Sequence, residues 1–494
     1  MNAFRAYLLL SAVTLACHPL HALEDNLLLK DTVVPWTELG KDFMDRPAPV
    51  TEVIEDLVFK SNRDRKKIIA ARNLSGEDLE APDRKTLFGA NPFLGRGQIS
   101  PGFTIPTGAV WQPVTIIYGE MRTGIQSFNN GLVDVNEWAN RLDLFGNIYL
   151  TPTERIHFGF RPLDREGRFS GYRFGGDGSE NGMDHFNGNL RTLYFEGDFG
   201  ELFPSLDPND QYSLDYGFAV GRMPITYQDG LLVNDVLDGV GITRASLFLF
   251  GASAARLTAF YAWDQIHRGN NRRDPNASLY ALSYSADYTA STYELEVVYV
   301  DGGDATGGDG FYAGIGQTRR FGKLNSTLRA AFSWALDNET AAVGTGSVFF
   351  HQLSRTMDYN DDIVYLDTFL SVDNFTSAAR DPAVGGPLGA TGVLFEAVGL
   401  GGYGAALGNG TPTGSVGFSL GYQHFFDDDK KRQLVAEIGS RWHTQSPGRS
   451  GYAAGLRYQQ ALDQHTILRA DGFIGQFDDG QTGQGFRCEL SFRF

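Results

Sequence analysis

Arginines and carboxylates recur at alternate positions in this 494-residue chain, and that spacing has a chemical consequence. Arg141 and Asp143, Glu294 and Glu296, Arg469 and Asp471, and Arg487 and Glu489 each stand two residues apart. Two residues is the side-chain repeat of a β-strand, so both members of each set project from one face of a sheet. Four arginines fall on four successive segments: Arg441 in "VAEIGSRW", Arg457 in "AAGLRYQQ", Arg469 in "ILRADGF" and Arg487 in "FRCELSFRF". On neighbouring antiparallel strands they form a basic wall. Asp215, Glu294 and Glu296 then supply an acidic wall opposite, and the field between the walls orders water and filters polar solutes. The alternative is that the arginines pair with Glu437, Asp471 and Glu489 along the same strands and only hold the wall rigid. Arg141, Arg155, Arg161 and Arg329 are further bases on the same polar face.

Other chemistries find little support in the spacing. His157, His185, His351 and His424 are scattered, and no HExxH, GxSxG or GxxxxGK[ST] occurs. No catalytic residue, no enzymatic activity and no cofactor is expected. Two cysteines exclude a disulfide scaffold and a Cys-rich zinc site, so no metal is expected either. The net charge of −17 argues against a nucleic-acid partner. "DGGDATGGDG" at 301–310 and "DYNDD" at 358–362 hold oxygen ligands but lack EF-hand spacing, and read as solvated loops. Phe145, Phe260 and Phe369, on the polar face, fit either a ramp of rings for sugars or packing against a loop.

The elements that must carry these residues are strands. From about residue 110 onward, segments of nine to twelve residues alternate apolar with polar, as in "RLDLFGNIYL", "LYALSYSADY", "YELEVVY" and "SVGFSLGY". Small residues and charges share one face. The apolar face carries tyrosines at strand ends, matching interfacial girdles. Tight connections at 289–291, 321–325, 427–432 and 461–465 alternate with long polar ones at 175–189, 264–278 and 379–392. That pattern predicts an all-β, transmembrane antiparallel barrel over 111–494, with about 18 strands or, alternatively, 16. No run approaches the roughly 20 apolar residues of a spanning helix, and closure is then what satisfies every backbone group in lipid. At 16 to 18 strands a barrel is wide enough for an aqueous channel.

The N-terminal part reads differently. Arg5 and the apolar "YLLLSAVTLAC" form an export signal over 1–22, with Leu20 and Ala22 as the cleavage pair. Cleavage before a lipidated Cys17 is an alternative. Residues 23–110 are expected to hold short helices, since Val50, Val53, Ile54, Leu57 and Val58 recur at helical spacing. They serve as a periplasmic lead-in or as a plug.

The ending "GFRCELSFRF" resembles the C-terminal strand of Gram-negative outer-membrane proteins. Phe494, Phe492, Leu490 and Phe486 match its terminal aromatic and alternate apolar positions. The resemblance implies an outer-membrane location, contact with lipid and lipopolysaccharide, and recognition of Phe494, Phe492 and Leu490 by the barrel-assembly machinery. A second stretch, "VGRMPITYQDGLLVNDV" at 220–236, is similar to alginate-export-type porins at Gly221, Arg222, Tyr227 and Asp229. It departs from them at Met223 and Leu231. The expectation is a porin passing small polar solutes through a charged lumen, with a homotrimer as one candidate assembly. The alternatives are an exopolysaccharide exporter with a periplasmic secretion partner, and a non-conducting structural or adhesive barrel.

Overall fold

The computed structural model describes residues 86–89 and 101–494, apart from 166, 179, 207, 209–213, 304–305, 358–360, 381–391, 409–413 and 446–447. The export segment 1–22, Cys17 and, of the 23–110 segment expected to hold helices, residues 23–85 and 90–100 lie outside the described residues.

Eighteen strands form the wall. They begin with β1 (Val114–Asn129), β2 (Asp134–Tyr149), β3 (Arg155–Phe160), β4 (Leu190–Asp198), β5 (Gly217–Tyr227) and β6 (Val233–Leu247). Next come β7 (Ala254–Asp264), β8 (Ser278–Tyr288), β9 (Ser291–Asp301), β10 (Gly310–Phe321), β11 (Leu324–Ala335) and β12 (Gly346–Thr356). The last six are β13 (Ile363–Asp373), β14 (Ser415–Phe425), β15 (Arg432–His443), β16 (Gly451–Ala461), β17 (Thr466–Phe477) and β18 (Thr482–Arg493). Each pairs antiparallel with the next, and β18 returns to β1, so the sheet closes without an edge. The larger of the two expected strand counts is therefore the observed one. β3 is short, and above it β2 pairs with a separate strand, Arg168–Gly176.

The wall is inside-out by the standards of a water-soluble core. Ile125, Leu282, Val297, Ile438, Ile474 and Phe486 are exposed, while Glu137, Glu437, Asp471, Arg487 and Glu489 are buried. Strand alternation puts the first group outside and the second inside, the polarity expected of a barrel bathed in hydrocarbon. Cys488, between two inward charges, lies on the exposed outer face. Outward aromatics form a belt near one rim: Tyr261 and Tyr280 stand 5.0 Å apart, Tyr280 and Tyr299 6.2 Å, and Phe311 and Trp334 5.6 Å. The register makes Tyr261, Tyr280, Tyr299, Phe311 and Trp334 direct neighbours on five consecutive strands.

Connections tend to sort by length onto the two rims, with the long one after β4 and the short ones after β1 and β17 as exceptions. Short turns follow β8, β10, β14 and β16 at one rim, and the long connections after β3, β7 and β13 all lie at the other. In the turn after β16, Asp463 accepts the backbone N–H groups of His465 (2.6 Å) and Thr466 (2.8 Å). The His465 N–H leads in holding that carboxyl below its ordinary range.

The seam explains the terminal aromatic. Phe494 and Gly119 exchange both backbone hydrogen bonds, at 2.7 and 3.0 Å. A Cβ on Gly119 would sit 3.1 Å from the Phe494 ring and 2.4 Å from the Asp143 carbonyl oxygen. β1 runs on past this point, and its Ile117 pairs with Phe88 at 2.9 and 3.2 Å, so a residue upstream of the barrel covers the edge that β18 leaves open. Gly119→Val should displace the terminal ring and lower the yield of assembled barrel, read as the fast-migrating band of unheated gel samples; an undiminished band would show that the ring needs no such seat.

Long-rim connections also fold inward. The 3₁₀ turn Gln228–Gly230 joins β5 to β6, and Ala379–Arg380 pairs in parallel with Val233–Asn234 of β6. Leu231, Leu232, Ile266, Val343 and Phe375 pack with the inner faces of β5 to β12 in one apolar cluster. Leu394, Phe395, Val398, Leu400 and Tyr403 pack in a second, against Phe128, Phe369 and Phe473. Phe350 touches both. Phe260 and Phe369, two of the three inward phenylalanines, belong to these clusters, so loop packing accounts for them.

Candidate functional site: a lumen with two charged walls

The four arginines of the expected basic wall do line adjacent strands, β15 to β18, and each is engaged. Arg487 donates to Asp471 (2.7 Å from Nε) and Glu489 (2.8 Å), and it is fully buried. Arg457 donates to Asp471 at 2.5 Å and pairs with Glu396. Arg469 donates to Gln459 at 3.2 Å and lies 3.9 Å from Glu396. Arg441 makes no ion pair among the described residues; its Nη1 lies 3.5 and 3.4 Å from the carbonyl oxygens of Leu407 and Gly408. Pairing along the strands thus accounts for Arg457 and Arg487, whereas Arg441 and Glu437 serve the inserted segment.

That segment, 392–408, is held by its backbone. Glu437 accepts the N–H groups of Val393 (2.9 Å) and Leu394 (3.0 Å). Arg122 donates to the Val398 carbonyl (3.1 Å), Arg141 to Gly399 (2.8 Å), and Gln126 to Leu400 (3.1 Å). Glu137 accepts from Gln126 (2.8 Å) and from the Gly402 N–H. A buried chain without sheet partners must satisfy its amides somewhere, and here charged wall residues do so. Arg122, Gln126, Glu137 and Glu396 were not among the expected site residues. Arg122 and Gln126 were legible by parity in "MRTGIQSF", and Glu137 shares the parity of Arg141.

Arg141 and Arg161 both donate to Asp143, at 2.7 and 2.6 Å, and Arg161 pairs with Asp164 at 3.2 Å. Arg155 pairs with Glu196 on β4. Across the barrel, nine strands from β18, Glu294 and Glu296 project inward from β9. They do not stand alone: Arg329 of β11 donates to Glu294 (2.6 Å) and to Asp229 (2.5 Å), and Gln228 donates to Glu296. Gln228 and Asp229 adopt φ of 53° and 52°, a left-handed conformation that is uncommon for side-chain-bearing residues and is often stored at functional sites. Asp229 is 67 % exposed and Glu294 35 %, against 27 % for Arg469. Asp229 and Glu294 share one arginine, so this side carries more acid than base.

Asp215 does not belong to this wall. β5 starts only at Gly217, and the Asp215 carbonyl accepts from Arg244 at 2.6 Å at the short-turn rim. The alternation that suggested an inward Asp215 is real, but it extends the strand's parity into a connection. Asp229 takes its place as the exposed acid.

No family model matches the chain, and no curated protein matches it. Solved structures do. The outer membrane protein opdK from Pseudomonas aeruginosa aligns at 11 % identity with a TM-score of 0.51, over 77 % of this chain and 98 % of its own. Pseudomonas aeruginosa OccK11 (OpdR) aligns at 12 % identity and 0.50, over 77 % and 96 %. Pseudomonas aeruginosa OccK5 (OpdH) aligns at 10 % and 0.50, over 77 % and 98 %. At these identities the likeness is one of fold. None of these relatives supports the alginate-export resemblance of the 220–236 stretch.

Proposed function

We propose that the protein is an outer-membrane channel of a Gram-negative bacterium that passes small polar solutes through a charged, narrowed lumen. The observation that carries this reading is the closed 18-stranded wall with an apolar outside and a charged inside. The fold shared with the outer membrane protein opdK supports the location. Eighteen strands leave room for water at the centre. The Gln228–Gly230 turn and the 392–408 segment reduce that room, and both are pinned by charged side chains, so the elements that narrow the lumen also bring charge to it. Asp229 and Glu294 face the Arg469 side across the narrowed lumen, giving a transverse field that screens poorly over its short width.

The protein in liposomes should admit small polar solutes such as glycine, seen as osmotic swelling. Vesicles that stay as tight as protein-free ones would overturn the channel. Asp229→Asn with Glu294→Gln should shift the zero-current potential in a salt gradient toward anions, and Arg469→Glu toward cations. An unchanged potential in both would mean that these charges serve structure alone.

A further inference from the structure

A band of aromatic rings crosses four consecutive strands of the inner wall just below the 392–408 segment. Tyr118 (β1) and Phe145 (β2) have centroids 5.7 Å apart, Phe145 and His157 (β3) 6.0 Å, and His157 and Tyr194 (β4) 5.0 Å. Tyr118 and Phe145 lie on the same strands as Arg122 and Arg141, four residues nearer the short-turn rim. A solute passing the inserted segment meets the band next. Phe260 and Phe369 are buried in the apolar clusters, whereas these rings are only half-buried, with Tyr194 packing at the edge of the first cluster.

Polar groups border the rings and cancel in charge. Asn147 Oδ1 lies 2.8 Å from Nδ1 of His157, and its Nδ2 reaches toward the hydroxyls of Tyr118 and Tyr149 at 3.5 and 3.4 Å. Arg155 and Glu196 pair beside them, each 32 % exposed. An anion finds no uncompensated cation here, and a purely apolar solute would strip water from groups it cannot pair. What fits is a molecule with an apolar face for the rings and an edge of groups that both donate and accept hydrogen bonds. We infer that the Tyr118–Phe145–His157–Tyr194 band is a binding subsite for neutral pyranose sugars. This rests on the channel reading above and names a solute class for it.

The test is transient block of single-channel current by maltotriose added at the short-turn side, with benzoate as an aromatic anion for comparison. Maltotriose should block, benzoate should not, and Phe145→Ala should raise the half-blocking concentration by about tenfold. Phe145→Leu keeps most of the side-chain volume and loses the ring. It should weaken block similarly, which separates loss of the ring from loss of bulk. A conducting protein that maltotriose does not block, or that only benzoate blocks, overturns the subsite and leaves the channel standing. A protein that never conducts sinks both.

Discussion

Arg487→Met should destabilise the barrel by about 3 kcal/mol, the lower end of the range for breaking a buried ion pair by removing one partner. Arg487 is fully buried between Asp471 and Glu489, with its guanidinium 5.5 Å from the Tyr403 ring centre. Its loss leaves two buried carboxylates short of a partner. Asp471 keeps Arg457 and Glu489 keeps Arg122, which is why the effect falls at the low end. Arg469→Met should cost far less, because Arg469 is partly exposed and its nearest carboxylate is 3.9 Å away. Urea unfolding in detergent reads both midpoints. Adding Asp471→Asn to Arg487→Met should recover part of the loss, because it removes the carboxylate that Arg487 held while Arg457 retains Glu396. Equal, small effects of Arg487→Met and Arg469→Met would remove the buried network from the account.

The second large effect is on permeation. Exchanging residues 393–408 for a short Gly-Ser linker should let liposomes admit solutes of roughly twice the mass that the intact protein passes, because the segment fills the interior of a barrel otherwise wide enough for water. Leu394, Phe395 and Leu400 are buried against the inner wall, so their removal opens volume rather than surface. The same exchange removes Glu396, a negative charge beside Arg457 and Arg469, so the wider lumen should also shift toward anions. An unchanged size limit would mean that solutes take another route through the wall of loops.

Much of the fold was legible because a barrel writes itself into strand parity. "GFRCELSFRF" assigns each residue a face, and the structure agrees from Phe486 to Phe494. Tyr280 and Tyr299 fell on the outer belt for the same reason. The rims, too, could be read in part from connection length, although the long stretch 199–216 lies at the short-turn rim. What parity does not carry is the path of a connection. "GVLFEAVGLGGYGA" begins where the long connection expected at 379–392 ends, and its Leu394, Phe395, Leu400 and Tyr403 lie inside the wall without forming a strand of it. Their apolar character was the available clue: a loop in water has little use for so many large side chains. The carbonyl partners of Arg122, Arg141 and Arg441 were hidden for the same reason, since the backbone of a distant segment has no signature in composition. Asp215 shows the opposite failure, parity continued past the end of its strand.

Planar-bilayer recording of the intact chain is the most direct measurement of the central claim, that the barrel encloses a conducting, narrowed lumen. Discrete current steps are predicted, smaller than those of the variant lacking 393–408. Absence of steps from both proteins, with the barrel shown to be assembled, would contradict it.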